Sequence, residues 1–401
     1  MGHAAVSTST SHRIAQAHLD YPTTAALTYM DVAARGLISR QVRAALDTHL
    51  DVLASGDMNK DECFALVERT RARFASMINA HTDEIALTKN VSEGLNIVAT
   101  GLPWEAGDNV IVCPELEHPN NVYCWLNLQR YGVQLRTVAP HHGHLPVDDI
   151  IQRMDARTRA VTASTVTFAP GFRTDIERLG QICRERDIFF LVDAAQSCGV
   201  LHTDVVASRI DGLAVSTQKG LLGLYGMGFL YCRRAWAERI QPAYLARFGV
   251  DLGDAHEAAM GSEAYQLMPA ARRFDLGNYN FLGCVAAEAA LGQLLAYAPQ
   301  EVERYVVGLA HQLAQGFLDL ALPVCGGAPG KHLAGIVSVG ELGSSHYGTD
   351  EERFNQLYTY LFDHAVRLSI RRGVLRFSLH LYNTEDDVQR VLALTREGLR
   401  R

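Results

Sequence analysis

Five short apolar runs punctuate the middle of the chain: Asn109 to Cys113, Arg159 to Ser164, Ile188 to Val192, Gly212 to Ser216 and Gly228 to Tyr231. Longer stretches with helical patterning separate them. Runs this short and this uniformly apolar suit strands buried on both faces, so the alternation predicts an α/β protein with a mostly parallel sheet between helices. In such sheets sites form at the carboxyl ends of the strands. The polar residues that directly follow these runs are therefore the places to look for chemistry. From about Phe281 the pattern changes to a long Ala/Leu-rich helical stretch, a short strand (Gly335 to Val339), a helix (Asp350 to His364) and a further strand (Val374 to Ser378). That succession predicts an α+β C-terminal domain.

Bulk properties narrow the function. With 401 residues, 48% hydrophobic and 20% charged, the chain has the composition of an ordinary globular protein that can bury a sizeable core. A net charge of -7 and the lack of a basic stripe argue against nucleic acid or an anionic membrane as partner. No apolar run approaches the roughly 20 residues that span a bilayer. Met1 to Ser11 lacks the charged-then-apolar layout of a secretion signal, so a cytoplasmic location is expected. The eight cysteines are scattered without Cys-x-x-Cys spacing, which predicts buried small side chains rather than a disulfide framework or a zinc ribbon.

The segment richest in chemistry is Val192-Asp193-Ala194-Ala195-Gln196, followed by Ser216-Thr217-Gln218-Lys219-Gly220 after the next strand. A carboxylate at the end of a buried strand is costly unless a cation faces it, and a pyridinium nitrogen is one such cation. A lysine just past the next strand is placed to form a Schiff base with an aldehyde cofactor. Taken alone, Asp193 reads equally well as a helix N-cap and Lys219 as a solvated surface residue.

Read together, the ordered motifs resemble the cysteine-desulfurase-like, class V aminotransferase group of fold type I pyridoxal 5'-phosphate enzymes, over about Tyr29 to Asp387. Thr88 to Asn96 looks like the phosphate loop opening a helix, Glu117-His118-Pro119-Asn120-Asn121 like the ring-stacking motif, and Ser216 to Lys219 like the Schiff-base motif. Phe274-Asp275-Leu276-Gly277-Asn278, Leu375-Arg376-Phe377-Ser378 and Tyr382-Asn383-Thr384 are similar to later family motifs.

The resemblance implies an N-terminal segment (1–30) packing with the small domain, a large cofactor domain (31–280) with a seven-stranded, mostly parallel sheet, and a small α+β domain (281–401). It assigns the Schiff-base lysine to Lys219, the ring-nitrogen partner to Asp193 and the ring-stacking, proton-moving group to His118. Val91, Ser92, Ser216 and Gln218 would hold the phosphate, and Gln196 the phenolic oxygen. Arg376 would grip the substrate α-carboxylate, a job suited to the two-pronged guanidinium. Asn278 stands where relatives place a threonine reaching the neighbouring subunit's phosphate, which implies a homodimer with shared active sites.

Two departures matter. Gln218 replaces the usual histidine, and Phe168 stands where many relatives have an asparagine. More telling, the stretch Val366 to Arg376 is short and carries no cysteine, whereas desulfurases have a loop there with the thiol that takes sulfur. Persulfide chemistry needs a mobile thiolate. The short Arg371-x-Gly373-x-Leu375-Arg376 form looks more like the isopenicillin N epimerase-like branch. Cys325 is the alternative thiol in the C-terminal region.

His141-His142-Gly143-His144 reads as a solvated loop rather than a metal site. Gly223 to Gly228 imitates a dinucleotide fingerprint but precedes a strand, which excludes that reading. The expectation is an enzyme that acts on an α-amino acid through a carbanion at Cα, as a lyase (including C–S cleavage) or an epimerase. An aminotransferase, a desulfurase with a relocated thiol and an inactive paralogue stay as alternatives.

Overall fold

The structure is a computed structural model that describes residues 13–251, 253 and 265–400. The Met1 to Ser11 stretch, read above for a secretion signal, lies outside the described residues. Thr28–Tyr29 (β1) precedes two long helices, Arg40–Ser55 (α1) and Lys60–Met77 (α2). Seven strands follow: Ile85–Thr88 (β2), Asn109–Val112 (β3), Gln134–Thr137 (β4), Thr158–Ser164 (β5), Phe189–Asp193 (β6), Gly212–Ser216 (β7) and Gly228–Cys232 (β8). Between them run Val91–Gly101 (α3), Asn120–Leu126 (α4), Val147–Arg153 (α5) and Ile176–Glu185 (α6). All seven strands join one sheet in the order β2-β8-β7-β6-β5-β3-β4.

Only β8 runs against its neighbours, pairing antiparallel with both β2 and β7, while β3 to β7 pair in parallel. Every residue of β3, β6, β7 and β8 is buried, which is why their sequences read as continuous apolar runs. One apolar cluster, with Leu95, Val98 and Trp125, covers one face of the sheet. A larger one, with Val192, Val215 and Leu291, covers the other and continues into the C-terminal half.

Helix α3 lies hard on the sheet. A Cβ at Gly94 would stand 3.0 Å from Ala214 Cβ, and one at Gly228 on β8 would stand 3.1 Å from the Cα of Asn90, which precedes α3. These approaches bring the start of α3 beside the ends of β2 and β7.

The expected long helix after Phe281 is two helices, Phe281–Ala296 (α7) and Pro299–Asp319 (α8), bent by 81°. Pro299 starts the second one, and Ala298 before it adopts φ +59°, so the first helix cannot run on. Helix α7 is buried almost all round, packed on α1 and α2. Among the described residues no single helix is long and apolar enough to cross a membrane.

The rest comprises Ile336–Val339 (β9), Glu352–Asp363 (α9), Val366–Arg367 (β10), Ser369–Arg371 (β11), Val374–Ser378 (β12) and Glu385–Gly398 (α10). An antiparallel sheet forms in the order β9-β12-β11. The N-terminal β1 pairs with β10, Thr28 opposite Val366, so the chain's start is stitched to its C-terminal part.

Candidate active site

A cavity of about 400 Å³ opens where the carboxyl ends of β2, β3, β5, β6 and β7 converge. The chain following β2 brings Val91 and Ser92 to it, that following β3 brings His118, and that following β6 brings Asp193 and Gln196. The end of β7 and the turn after it supply Ser216, Gln218 and Lys219. Eight of the ten predicted site residues therefore share one cavity.

Lys219 is held in a constrained turn. Thr217 donates from Oγ1 to the Leu224 carbonyl at 2.6 Å and from its amide to Met227 at 3.0 Å. Gly36 N–H reaches the Gln218 carbonyl at 2.7 Å, and His380 Nε2 lies 2.8 Å from the Gly220 carbonyl. The partly buried amine is pushed down to about 8, chiefly by burial, with Arg376 and Arg371 adding to it and Asp193 opposing.

Asp193 ends the central strand at 4% exposure. Its Oδ1 accepts the Ala195 amide at 2.9 Å, and among the described residues no ion pair reaches it. Burial raises its pKa, which marks a carboxylate in want of a proton or a cation.

His118 is also desolvated: burial first, then the charge of Lys219, hold its pKa down to about 4, so the ring is neutral at pH 7. Its Nδ1 accepts the Asn120 amide at 3.2 Å, which leaves the ring proton on Nε2. The ring meets Phe168 edge-on at 5.2 Å.

Sequence reasoning gave no role to Glu117. The structure buries it, with Oε1 accepting the Ser164 amide at 2.7 Å and Oε2 accepting Asn121 Nδ2 at 2.9 Å. Asn121 Oδ1 in turn accepts Thr162 Oγ1 at 2.9 Å. This network fastens the His118 loop to β5. Burial, then the Asp193 charge, push the Glu117 carboxyl up to about 7, against the hydrogen bonds from Ser164 and Asn121. A glutamate beside the histidine, after a buried strand, was the one available signal.

At the opposite end, Asn90 caps α3 by accepting the Glu93 amide at 3.0 Å. The Val91 amide points at Ser216 Oγ, 2.8 Å away. Amides and hydroxyls at a helix start suit an anion. Gln196 donates through Nε2 to the Ala33 carbonyl at 3.2 Å while still facing the cavity.

Two predicted residues lie outside this cavity. Asn278 lines a neighbouring cleft with Thr88 and Gly226, in a left-handed conformation at φ +45°. Arg376 is fully buried on β12, where Nε donates to Ser369 Oγ at 3.3 Å and Nη1 to the Phe168 carbonyl at 3.1 Å. Its Nη2 has no partner among the described residues. Phe168 belongs to the cavity wall, so the guanidinium sits directly behind that wall.

Two further motifs turn out to be fastenings. Asp275 takes an ion pair from Arg71 at 2.6 Å and the Leu87 amide at 3.0 Å, and Asn383 ties Tyr29 to His380. Cys325 is outside the cavity; its Sγ donates to the Gly340 carbonyl at 3.4 Å, and burial pushes its thiol up to about 11. The His141–His144 segment forms a tight turn closed by reciprocal backbone hydrogen bonds, with His141 Nε2 3.1 Å from Asp149.

These groups fit pyridoxal phosphate on their own chemistry: a buried carboxyl short of a cation, an amine of lowered basicity, a flat neutral imidazole and a helix start beside two hydroxyls. A sheet of this order with such a site defines a pyridoxal phosphate enzyme of fold type I. The chain belongs to the aminotransferase class-V family, whose family model matches residues 28–391.

A probable cysteine desulfurase of Methanothermobacter thermautotrophicus is 30% identical over 334 residues, covering 80% of this chain and 81% of that protein. One of Pyrococcus abyssi is 27% identical over 405 residues, covering 94% and 96%. Among solved structures, a cysteine desulfurase of Thermococcus onnurineus superposes with a TM-score of 0.81 at 26% identity over 95% of this chain and 96% of its own. The cystine C–S lyase C-DES shares the fold, with a TM-score of 0.83 at 21% identity over 94% and 99%. The cofactor is pyridoxal 5'-phosphate.

Proposed function

We propose that this enzyme takes an α-amino acid and breaks a bond at its Cα and Cβ, acting as a lyase on a substrate with a sulfur leaving group. The observation that carries the reading is Arg376, buried behind the wall of the Lys219 cavity with Nη2 unpartnered. A guanidinium with a free prong in a desolvated setting is a receptor for a carboxylate. Bound, pyridoxal phosphate supplies the aldehyde carbon for the substrate amine and a ring that takes up the electron pair left at Cα.

The chain's residues supply the rest. Arg376 fixes the α-carboxylate, which orients the Cα–H bond toward Lys219. The Lys219 amine, with its basicity lowered toward neutral pH, removes the Cα proton. Asp193 holds a proton on the ring nitrogen by charge. The Cβ–S bond then breaks, and the departing sulfur takes its proton from the Lys219 ammonium formed in the step before, while the neutral His118 can offer only its Nε2–H as a hydrogen bond. Glu117 and Ser164 act only by holding the His118 loop in place.

A second reading is epimerisation, favoured by the short Arg371 to Arg376 turn, with a proton returned to Cα from solvent. We further read Asn278, set in a cleft apart from its own chain's cavity, as reaching the site of a second copy in a homodimer. Holoenzyme incubated with L-cystine and L-cysteine in deuterium oxide separates these readings. Pyruvate with released sulfur supports the lyase, and inverted α-deuterated amino acid supports the epimerase. Cofactor-saturated protein that neither forms product nor exchanges the α-hydrogen of any amino acid overturns both.

A further inference from the structure

Arg371 is a charge at this site that neither the cofactor nor the α-carboxylate accounts for. Strand β11 carries Ser369 and Arg371 on one face, two residues apart, and Ser369 stands opposite Arg376 and receives its Nε. Arg371 therefore emerges beside the guanidinium that meets the α-carboxylate. The turn that follows is locked against the large domain: Arg372 Nη1 donates to the Glu115 carbonyl, three residues ahead of His118. Gly343 N–H reaches the Arg372 carbonyl at 2.7 Å, and Gly373 N–H reaches Ser345 at 2.7 Å, so the turn also carries the segment with His346. The His346 ring lies 6.4 Å from Phe168 in the cavity wall.

Among the described residues no ion pair holds Arg371, and its hydrogen bond runs to the carbonyl of its own neighbour Ile370 at 2.6 Å. The nearby acid is Asp31, whose charge is shared among Arg376, Arg371 and Arg35. Arg371 stands outside the cavity lining, on the strand paired with that of Arg376, and its positive charge bears on His118, Lys219 and Arg376 alike. Two arginines on paired strands with one partly buried acid between their charges leave room for more than one anionic group.

We infer that Arg371 anchors a second anionic group on the substrate, so that the amino acid taken by this site carries a negative charge beyond its α-carboxylate. The inference rests on the amino-acid reading above and adds the substrate class.

The test uses holoenzyme and a matched pair, S-carboxymethyl-L-cysteine and S-methyl-L-cysteine, which differ by one carboxylate at the same sulfur. Binding is followed by the change in the cofactor's visible absorption. The expected result is a preference for the carboxymethyl compound of tenfold or more, which falls at least tenfold in R371Q and is partly restored in R371K. A wild-type enzyme that binds both without preference, or a preference that survives R371Q, overturns the role of Arg371 alone. No spectral response to either compound or to L-alanine overturns the amino-acid reading, and this inference with it.

Discussion

Arg376 Nη1 donates to the carbonyl of Phe168 at 3.1 Å, so the residue that walls the cavity also aims the guanidinium behind it. Burial and the nearby Arg371 pull the Arg376 pKa down to about 10, yet the group keeps its charge at any physiological pH. Arg376→Ala removes the proposed carboxylate receptor and is expected to weaken amino-acid binding by roughly 2 to 5 kcal/mol, the range for one partner of a desolvated charge pair. Arg376→Lys keeps the charge without the fork and falls between. Spectral titration with an amino acid checks both, and the visible band of each variant reports whether the cofactor site survives. Unchanged affinity in Arg376→Ala would move the carboxylate elsewhere.

Lys219 and Asp193 stand at the ends of adjacent strands, and the proposed function gives them opposite tasks. Borohydride reduction of the holoenzyme is expected to fix the cofactor on the peptide containing Lys219. Lys219→Ala is expected to lose turnover by on the order of a thousandfold or more, because both the covalent link and the base disappear. Asp193→Asn is expected to retain cofactor and lose on the order of a hundredfold or more, since a neutral amide cannot hold the ring proton by charge. A label on another lysine, or an Asp193→Asn enzyme within a few-fold of the parent, contradicts these assignments.

Much of this site is legible in the amino-acid sequence because buried parallel strands leave so few polar residues at their ends. Asp193 stands out after Phe189 to Val192, and Lys219 after the fully buried β7. The strand β4 does not, since Gln134–Thr137 sits at the sheet's edge, partly exposed and polar. Strands β10 and β11, at two and three residues, are too short to show a period. Asp275 and Asn383 looked like site signatures, yet their contacts are with Arg71, Leu87 and Tyr29. Glu117 escaped because its partner Ser164 is 47 residues away, and only the pairing of β3 with β5 brings them together.

Glu117 makes stability depend on pH in a defined direction. The folded carboxyl titrates near 7 against an ordinary value of 4.5, so between these the folded protein binds more protons than the unfolded chain. Its contribution is fully present below about 4.5 and is lost as the pH rises toward 7, by about 3 kcal/mol at most. His118 works the other way: held down to about 4, it favours the fold above about 6.5 and loses that as the pH falls toward 4. Urea unfolding of cofactor-free protein at pH 5 and pH 7.5 is expected to show a smaller loss at the higher pH for Glu117→Gln than for the parent. Equal losses would place the charge of Glu117 elsewhere.

The last prediction concerns sulfur. Strands β11 and β12 are joined by a two-residue turn, Arg372 and Gly373, both at positive φ, with Arg371 opposite Val374. No loop exists there to carry a sulfur-accepting cysteine. Among the cysteines, Cys325 is the one not fully buried, and its thiol is pushed up to about 11, so it is almost wholly protonated at neutral pH. Cys198 is buried, with its thiol pushed up to about 12 and its Sγ 4.0 Å from Thr203 Oγ1. A thiol attacks sulfur as the thiolate, and neither residue offers one to the cavity. Cys325→Ala and Cys198→Ala are therefore expected to keep turnover within about threefold of the parent, apart from any cost in stability from the smaller buried side chain. Sulfur is expected to leave as sulfide or as a small-molecule persulfide, detectable in the filtrate. Mass spectrometry of the protein during turnover should find no added sulfur. A persulfide on one cysteine, lost together with activity when that cysteine is replaced, would instead make this enzyme a desulfurase whose thiol has moved.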